Sequence, residues 1–404
     1  MSERPAYVGP TILLTITQIA LSWAVFASPV LARQALPELG LSPEWIGLQP
    51  TLMFSAALLT SMLVSPLTAS FNSMRLSQIL LLVSAAGAAM LGSGSLPLAV
   101  LGSILVGAGL GPGTAASSHI LSKVTPPRLQ PTIFSIKQSG VTAGGAIAGI
   151  AGPHIMNMWN WQGALLVVAA VCAGVALLLQ PFTARYDRYA DPQAGRRTEF
   201  IGPVRTIVVT PTLRWMALGV VTMIVTQYGL ITFFVLYLQE EIGLSVVLAG
   251  TIYASAQAAG GVGRVFFGFI AGRYLPPLIV LCCLAGLAAA SAITTAAFTP
   301  DWPIAAIYAV SIVFGACALG WNGVFISETA RLSAPGDVGR IVGAISAIVF
   351  AASIGGPGLF TAVLSFASYG TAYFGTAAFS AMAIFSFLNI RKAERRAARP
   401  DPAD

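Results

Sequence analysis

Two cations set in apolar sequence, Lys137 in FSIKQSG and Arg264 in GGVGRVFFG, are the residues with the most chemistry to offer. If Pro131 begins a helix, Lys137 lies roughly 9 Å along it. An ammonium facing hydrocarbon is costly, so its head must meet a central cavity, a carboxylate or an inner interface, or snorkel back toward the head groups. Gln138 and Ser139 follow it and make that turn polar. A guanidinium grips a carboxylate through two parallel hydrogen bonds. Arg264 therefore either binds an anionic ligand or ties neighbouring helices together through a protein carboxylate.

Glu328, in FISETARL, is the acidic counterpart. It either pairs with Lys137 or Arg264 as a gate, or carries a coupling proton. Histidine is the residue type that can change charge near neutral pH, but His119 and His154 stand near opposite ends of separate stretches and propose no metal centre. Neutral polar and aromatic residues are better spaced to line a pocket: Gln18 with Trp23, Gln227 with Tyr228, Tyr253 with Gln257, and Trp321 with Asn322. Tyr253 and Gln257 are four apart, hence on one helix face. Each of these residues has a plainer alternative in interhelical packing or hydrogen bonding.

The elements that position them are long and apolar. Hydrophobic residues make up 56% of the 404-residue chain and charged residues 9%, against roughly a quarter charged in a soluble domain. A bilayer span needs about 20 mainly apolar residues. Windows of that kind run over 9–32, 46–69, 76–94, 97–121, 131–156 and 160–180, and again over 211–238, 246–270, 276–297, 303–330, 338–364 and 368–389. Gly- and Ala-rich runs without alternation predict helices rather than a membrane barrel. The first window has no convincing cleavage site and reads as a retained span. The fold expected is an all-α membrane protein, twelve transmembrane helices in two six-helix bundles. One bundle covers 1–180 and the other 211–390, with a polar linker at 181–210 and a tail at 391–404.

Charge sets the orientation. A cytoplasmic N-terminus places Arg4, Arg75, Lys123, Arg128, Arg273, Arg331 and Arg340, the linker arginines and the basic tail inside. Glu38, Glu44, Glu240, Glu241 and Asp301 then fall outside, with Arg33 the lone exposed cation there. Positive charge is retained on the cytoplasmic side, so both termini are expected in the cytoplasm of a bacterial inner-membrane protein. The net charge of +7 thus reports topology; its scatter offers no nucleic-acid reader, although linker cations suit anionic lipid. Cys172, Cys282, Cys283 and Cys317 lie inside apolar windows and read as small buried hydrophobes. Neither a cofactor nor an enzyme is expected, since no catalytic triad spacing, phosphate-binding loop or HExxH occurs.

Six windows, a linker and six more resemble the major facilitator superfamily over nearly the whole chain. The signature loop of that family, Gly-x-Leu-Ala-Asp-Arg-x-Gly-Arg, is matched by PLTASFNSMR, with Ser70 at the acidic place, Ser73 at the second glycine and Arg75 beside the arginine position. The second copy, GFIAGRYLP, keeps Gly268 and Arg273 but has Gly272 at the acidic place. The stretches FSIKQSGVTAGGAIAGIAGP and GWNGVFISETARLSAPGDVGRIVG resemble a bacterial uptake-type subset. The resemblance implies two domains rocking around a central site lined by the first, fourth, seventh and tenth helices, without ATP. It favours Gln18, Gln227 and Asn322 as substrate contacts, and Arg75 and Arg273 as gate residues; Glu328 and His119 join them as coupling or gate candidates on their own titratable chemistry.

Two buried cations against one buried anion fit an anionic substrate. Proton-driven exporters of the family carry an arginine where this chain has Ser103, and their Gly-Pro-x-x-Gly-Gly motif fails at Gly152-Pro153-HIMN. The reading is secondary active transport of a small organic anion, a monocarboxylate or related metabolite, with a proton as possible co-substrate and the chain as a monomer. The alternatives are drug or metabolite efflux by proton antiport, and a ligand sensor that moves nothing.

Overall fold

A computed structural model describes residues 7–61, 73–126, 129–184, 201–271, 273–334 and 338–397. Helices fill these intervals: α1 (Val8–Glu38), α2 (Leu48–Ser61), α3 (Ser73–Leu91), α4 (Leu96–Leu110), α5 (Gly113–Val124), α6 (Gln130–Met158), α7 (Trp161–Thr183) and α8 (Ile201–Val209). They continue with α9 (Pro211–Tyr228), α10 (Phe234–Glu240), α11 (Val246–Ile270), α12 (Pro277–Ala296), α13 (Ile304–Gly320), α14 (Asn322–Leu332), α15 (Val338–Leu364) and α16 (Tyr369–Ala397). Prolines open α4, α6, α9 and α12 within their first two positions, where the missing N–H costs no helical bond. Gly40, Gly94 and Gly243 turn the chain after α1, α3 and α10 with φ of 73°, 74° and 76°, a region that L side chains avoid.

Among the described residues, nine helical segments have the length and apolarity of membrane spans: α1, α3, α7, α9 with α10, α11, α12, α13 with α14, α15 and α16. Three of the twelve windows differ. The second continues past Ser61 into 62–69, outside the described residues. The fourth breaks at Gly111–Pro112 into α4 and α5, because a proline can neither donate to the preceding turn nor clear its carbonyl. In the fifth, α6 is 29 residues long, but its glycines, Lys137 and Gln138 dilute its apolarity. Residues 62–72, which include the first seven of the signature stretch, residues 185–200 of the 181–210 linker, Gly272 and the tail from 398 also lie outside the described residues.

The chain forms two compact units, one of residues 1–198 with 231–258 and the other of 199–230 with 259–404. In the first, α1 packs along α6 and α7, α3 packs against α4 and α7, and α2 lies on α4. Glycines set these distances. A Cβ on Gly107 or Gly111 would strike the α2 backbone at Met53 or Ala57, and one on Gly109 would strike Ser84 and Leu80 of α3. Two residues rotate a helix by about 200°, so alternate glycines serve opposite neighbours. Helix α6 is two-sided in the same way. Gly140 and Gly144 face Gln18, Ser22 and Ile19 of α1, while Gly145 and Gly149 face Gln257 and Gly250 of α11.

In the second unit, α12 packs on α16 and α13, and α9 on α16 and α15. The Thr226 and Ser380 hydroxyls bond across the α9–α16 seam at 2.7 Å. The helix of the seventh window is interrupted by a π-turn at Gly229–Phe233, and the Tyr373 hydroxyl donates to the Gly229 carbonyl at 3.2 Å. Gly260 and Gly263 lie against Leu319 and Ala316 of α13, whereas Gly268 has open space where a Cβ would go. Its glycine does not serve the close packing that Gly260 and Gly263 do.

Candidate functional site

In the first unit, the α6 glycines let flanking polar groups approach. Gln18 is buried, and its amide donates to the Ser22 hydroxyl one turn along at 3.1 Å. Trp23 is buried, and its indole N–H has no partner among the described residues. On the other flank Tyr253 and Gln257 are fully buried, and the Gln257 amide donates to the Tyr253 hydroxyl at 2.5 Å. The one-face spacing read from the sequence thus ends in a direct bond.

Lys137 is the buried charge of this unit, with 1% of its surface exposed. Its Nζ donates to the Gln138 side-chain oxygen at 3.1 Å, and no carboxylate lies within ion-pair distance among the described residues. An ammonium offers three donors. Leaving a charge buried without a counter-ion is expensive. Snorkelling, the alternative in the sequence, would have left the ammonium exposed.

Arg264 lies in the second unit and meets the backbone. Its Nε donates to the Leu319 carbonyl at 3.0 Å, and the Asn322 amide donates to the same oxygen at 3.2 Å. The Trp321 indole donates to the Ala318 carbonyl at 2.9 Å and meets the Phe325 ring edge-on. These carbonyls belong to the last turn of α13, where the helix breaks at Trp321 before α14 begins. A broken helix leaves C=O groups without intrahelical partners, and three side chains singled out from the sequence satisfy them. Gln227 is half-buried with its side-chain oxygen unpartnered among the described residues, and Tyr228 bonds Ser353 on α15.

The ion pair of Glu328 corrects the sequence reading. In place of Lys137 or Arg264, its carboxylate is held by Arg331, three residues along: Nε to Oε2 at 2.8 Å and a second guanidinium nitrogen to Oε1 at 2.6 Å. That nitrogen also reaches Glu394 of α16 at 2.9 Å. Arg331 stands just past the 303–330 window, on the cytoplasmic side, and its i,i+3 spacing from Glu328 is a usable signal. Glu394 carried no local signal.

Among the expected gate residues, Arg273 is exposed and stacks on the Phe269 and Tyr274 rings, with centroids at 5.0 and 5.8 Å. Arg75 is exposed at the start of α3. The side chain of His119 lies outside what the structure describes. At the end of α1, Arg33 donates to the Gln239 carbonyl at 3.0 Å, and Glu38 accepts from the Trp161 indole and the Gln162 amide at 2.8 and 2.9 Å. Among the described residues no group of three or more His, Cys, Asp or Glu is placed to hold a metal ion.

A family model described as the Major Facilitator Superfamily matches residues 11–331. A comparison with curated protein sequences finds no significant match. Among solved structures, a bacterial homologue of the human lysosomal transporter Spinster, inward-facing and occupied, is similar with a TM-score of 0.77 at 18% identity, covering 99% of this chain and 100% of the other. Its inward-facing, unoccupied form gives 0.75 at 18% identity over the same shares. The E. coli fucose:proton symporter gives 0.63 at 17% identity, covering 95% of this chain and 99% of the other. At such identities the likeness concerns the fold.

Proposed function

The chain belongs to the major facilitator superfamily, and on that premise we propose that it carries a small organic anion, a monocarboxylate or related metabolite, across a bacterial inner membrane by alternating access. It does so as a monomer with both termini in the cytoplasm. Residues 1–180 and 211–390 supply six crossings each, and 181–210 links them. The observation that carries this reading is Lys137, a buried ammonium whose partner among the described residues is the neutral side chain of Gln138. A carboxylate entering from water needs a compensating cation, and this one is unpaired. Gln18, Trp23, Tyr253 and Gln257 supply neutral hydrogen-bonding groups in the same unit. Gln227, Tyr228 and Asn322 do so in the other.

The test is a thermal-stabilisation screen of the purified protein against anionic, neutral and cationic metabolites, followed by counterflow of the hits in vesicles. Selective ligands raise stability by mass action. Carboxylates should stabilise and exchange. Stabilisation by neutral or cationic compounds alone overturns the anion reading, and binding without counterflow overturns transport in favour of a sensor. Proton symport is tested at fixed voltage, where equal uptake with and without an inward proton gradient removes it.

A further inference from the structure

A surface groove runs along the second unit between α12 and α16. Ile279, Cys282 and Cys283 line one wall, and Phe387, Leu388 and Arg391 the other, around about 430 Å³ of space open to the surroundings. The lining is apolar apart from its one charged member, Arg391, which is partly buried at the end of the groove. Arg395 follows four residues later on the same helical face, and Lys392 lies beside it; both are exposed. The acidic residue of this stretch, Glu394, already accepts from Arg331. No carboxylate among the described residues lies within ion-pair distance of Arg391, Lys392 or Arg395.

An apolar trough that ends on guanidinium groups with no carboxylate partner among the described residues is complementary to an amphiphile with an alkyl chain and an anionic head. We propose that the groove binds an anionic phospholipid of the phosphatidylglycerol type, its acyl chain between α12 and α16 and its phosphate on Arg391 and Arg395. Arginine suits this role because its planar fork meets phosphate oxygens two at a time. The cluster also discriminates between lipids. Each cation near the surface attracts a net negative head, whereas the quaternary ammonium of phosphatidylcholine brings a positive charge to the same place.

Native mass spectrometry of the full chain, titrated with phosphatidylglycerol or phosphatidylcholine, tests this. Wild type should retain phosphatidylglycerol preferentially, and Arg391→Gln should lower that retention about tenfold, the loss expected for a charged hydrogen bond. Leu388→Trp should lower it too, by filling the groove with the arginines intact. Maleimide labelling of Cys283, which is exposed, locates the lipid, since phosphatidylglycerol should slow labelling in wild type and not in Arg391→Gln. Equal retention of both lipids, retention unchanged in both variants, or protection of Cys283 by inorganic phosphate alone each overturns the proposal.

Discussion

Glu328, with 1% of its surface exposed, gives both carboxylate oxygens to the half-exposed guanidinium of Arg331. The pair is asymmetric, because only the acid lacks water. Arg331→Ala is therefore expected to leave an uncompensated buried charge and destabilise by about 3–5 kcal/mol. Glu394→Ala, which removes the outer and more exposed partner, should cost about 1 kcal/mol or less. Unfolding of the two variants in detergent checks the order, and equal losses would refute the asymmetry.

Lys137 should trade stability for function. Lys137→Met keeps most of the length of the side chain and removes a buried charge with no carboxylate within ion-pair distance among the described residues. Replacing buried charges with apolar groups is often neutral or stabilising by about 1–4 kcal/mol. The variant is expected to melt at or above wild type while losing the anion-induced shift. At a ligand concentration of about 100 times Kd that shift is worth about 2.7 kcal/mol in wild type. A variant that still prefers the charged ligand over an uncharged analogue would remove Lys137 from the site.

Arg264 is expected to behave as a helix cap. Arg264→Ala and Asn322→Ala each remove one donor from the Leu319 carbonyl, and each should cost about 1–3 kcal/mol at most. Because the two donors share one acceptor, the double variant should depart from additivity by about 0.5 kcal/mol or more. Both single variants should keep their preference for charged ligand. Loss of that preference in a stable Arg264→Ala protein would return the residue to anion recognition.

Topology is open to labelling. With single cysteines introduced at Ser42, Ser245, Thr210 and Ala334, a membrane-impermeant reagent added outside should modify the first two and spare the last two. The separation of Lys and Arg from the loops after α1 and α10 motivates this expectation. The reverse pattern would invert the assignment.

The helical segments were legible because hydropathy reports burial in lipid directly, and Tyr253 with Gln257 was legible because helical spacing alone places them together. What the sequence concealed was settled by distant partners. The Arg264 guanidinium seeks a backbone carbonyl 55 residues away, and no side-chain pattern advertises a carbonyl. The π-turn at Gly229 is supported by a hydroxyl 144 residues away. Glu328 carries the mark of an ion-pair partner in the sequence, but its cation is Arg331, three residues along, and not one on another helix. Such local pairs form where a helix runs past the apolar window.

The two faces of α6 have a genetic consequence. A side chain added at Gly144 collides with Ile19, Ser22 and Trp23, while one added at Gly145, the very next residue, collides with Gln257. Revertants of the first defect should therefore map to α1 and revertants of the second to α11. Adjacent codons would then divide their second-site suppressors into two sets that do not overlap.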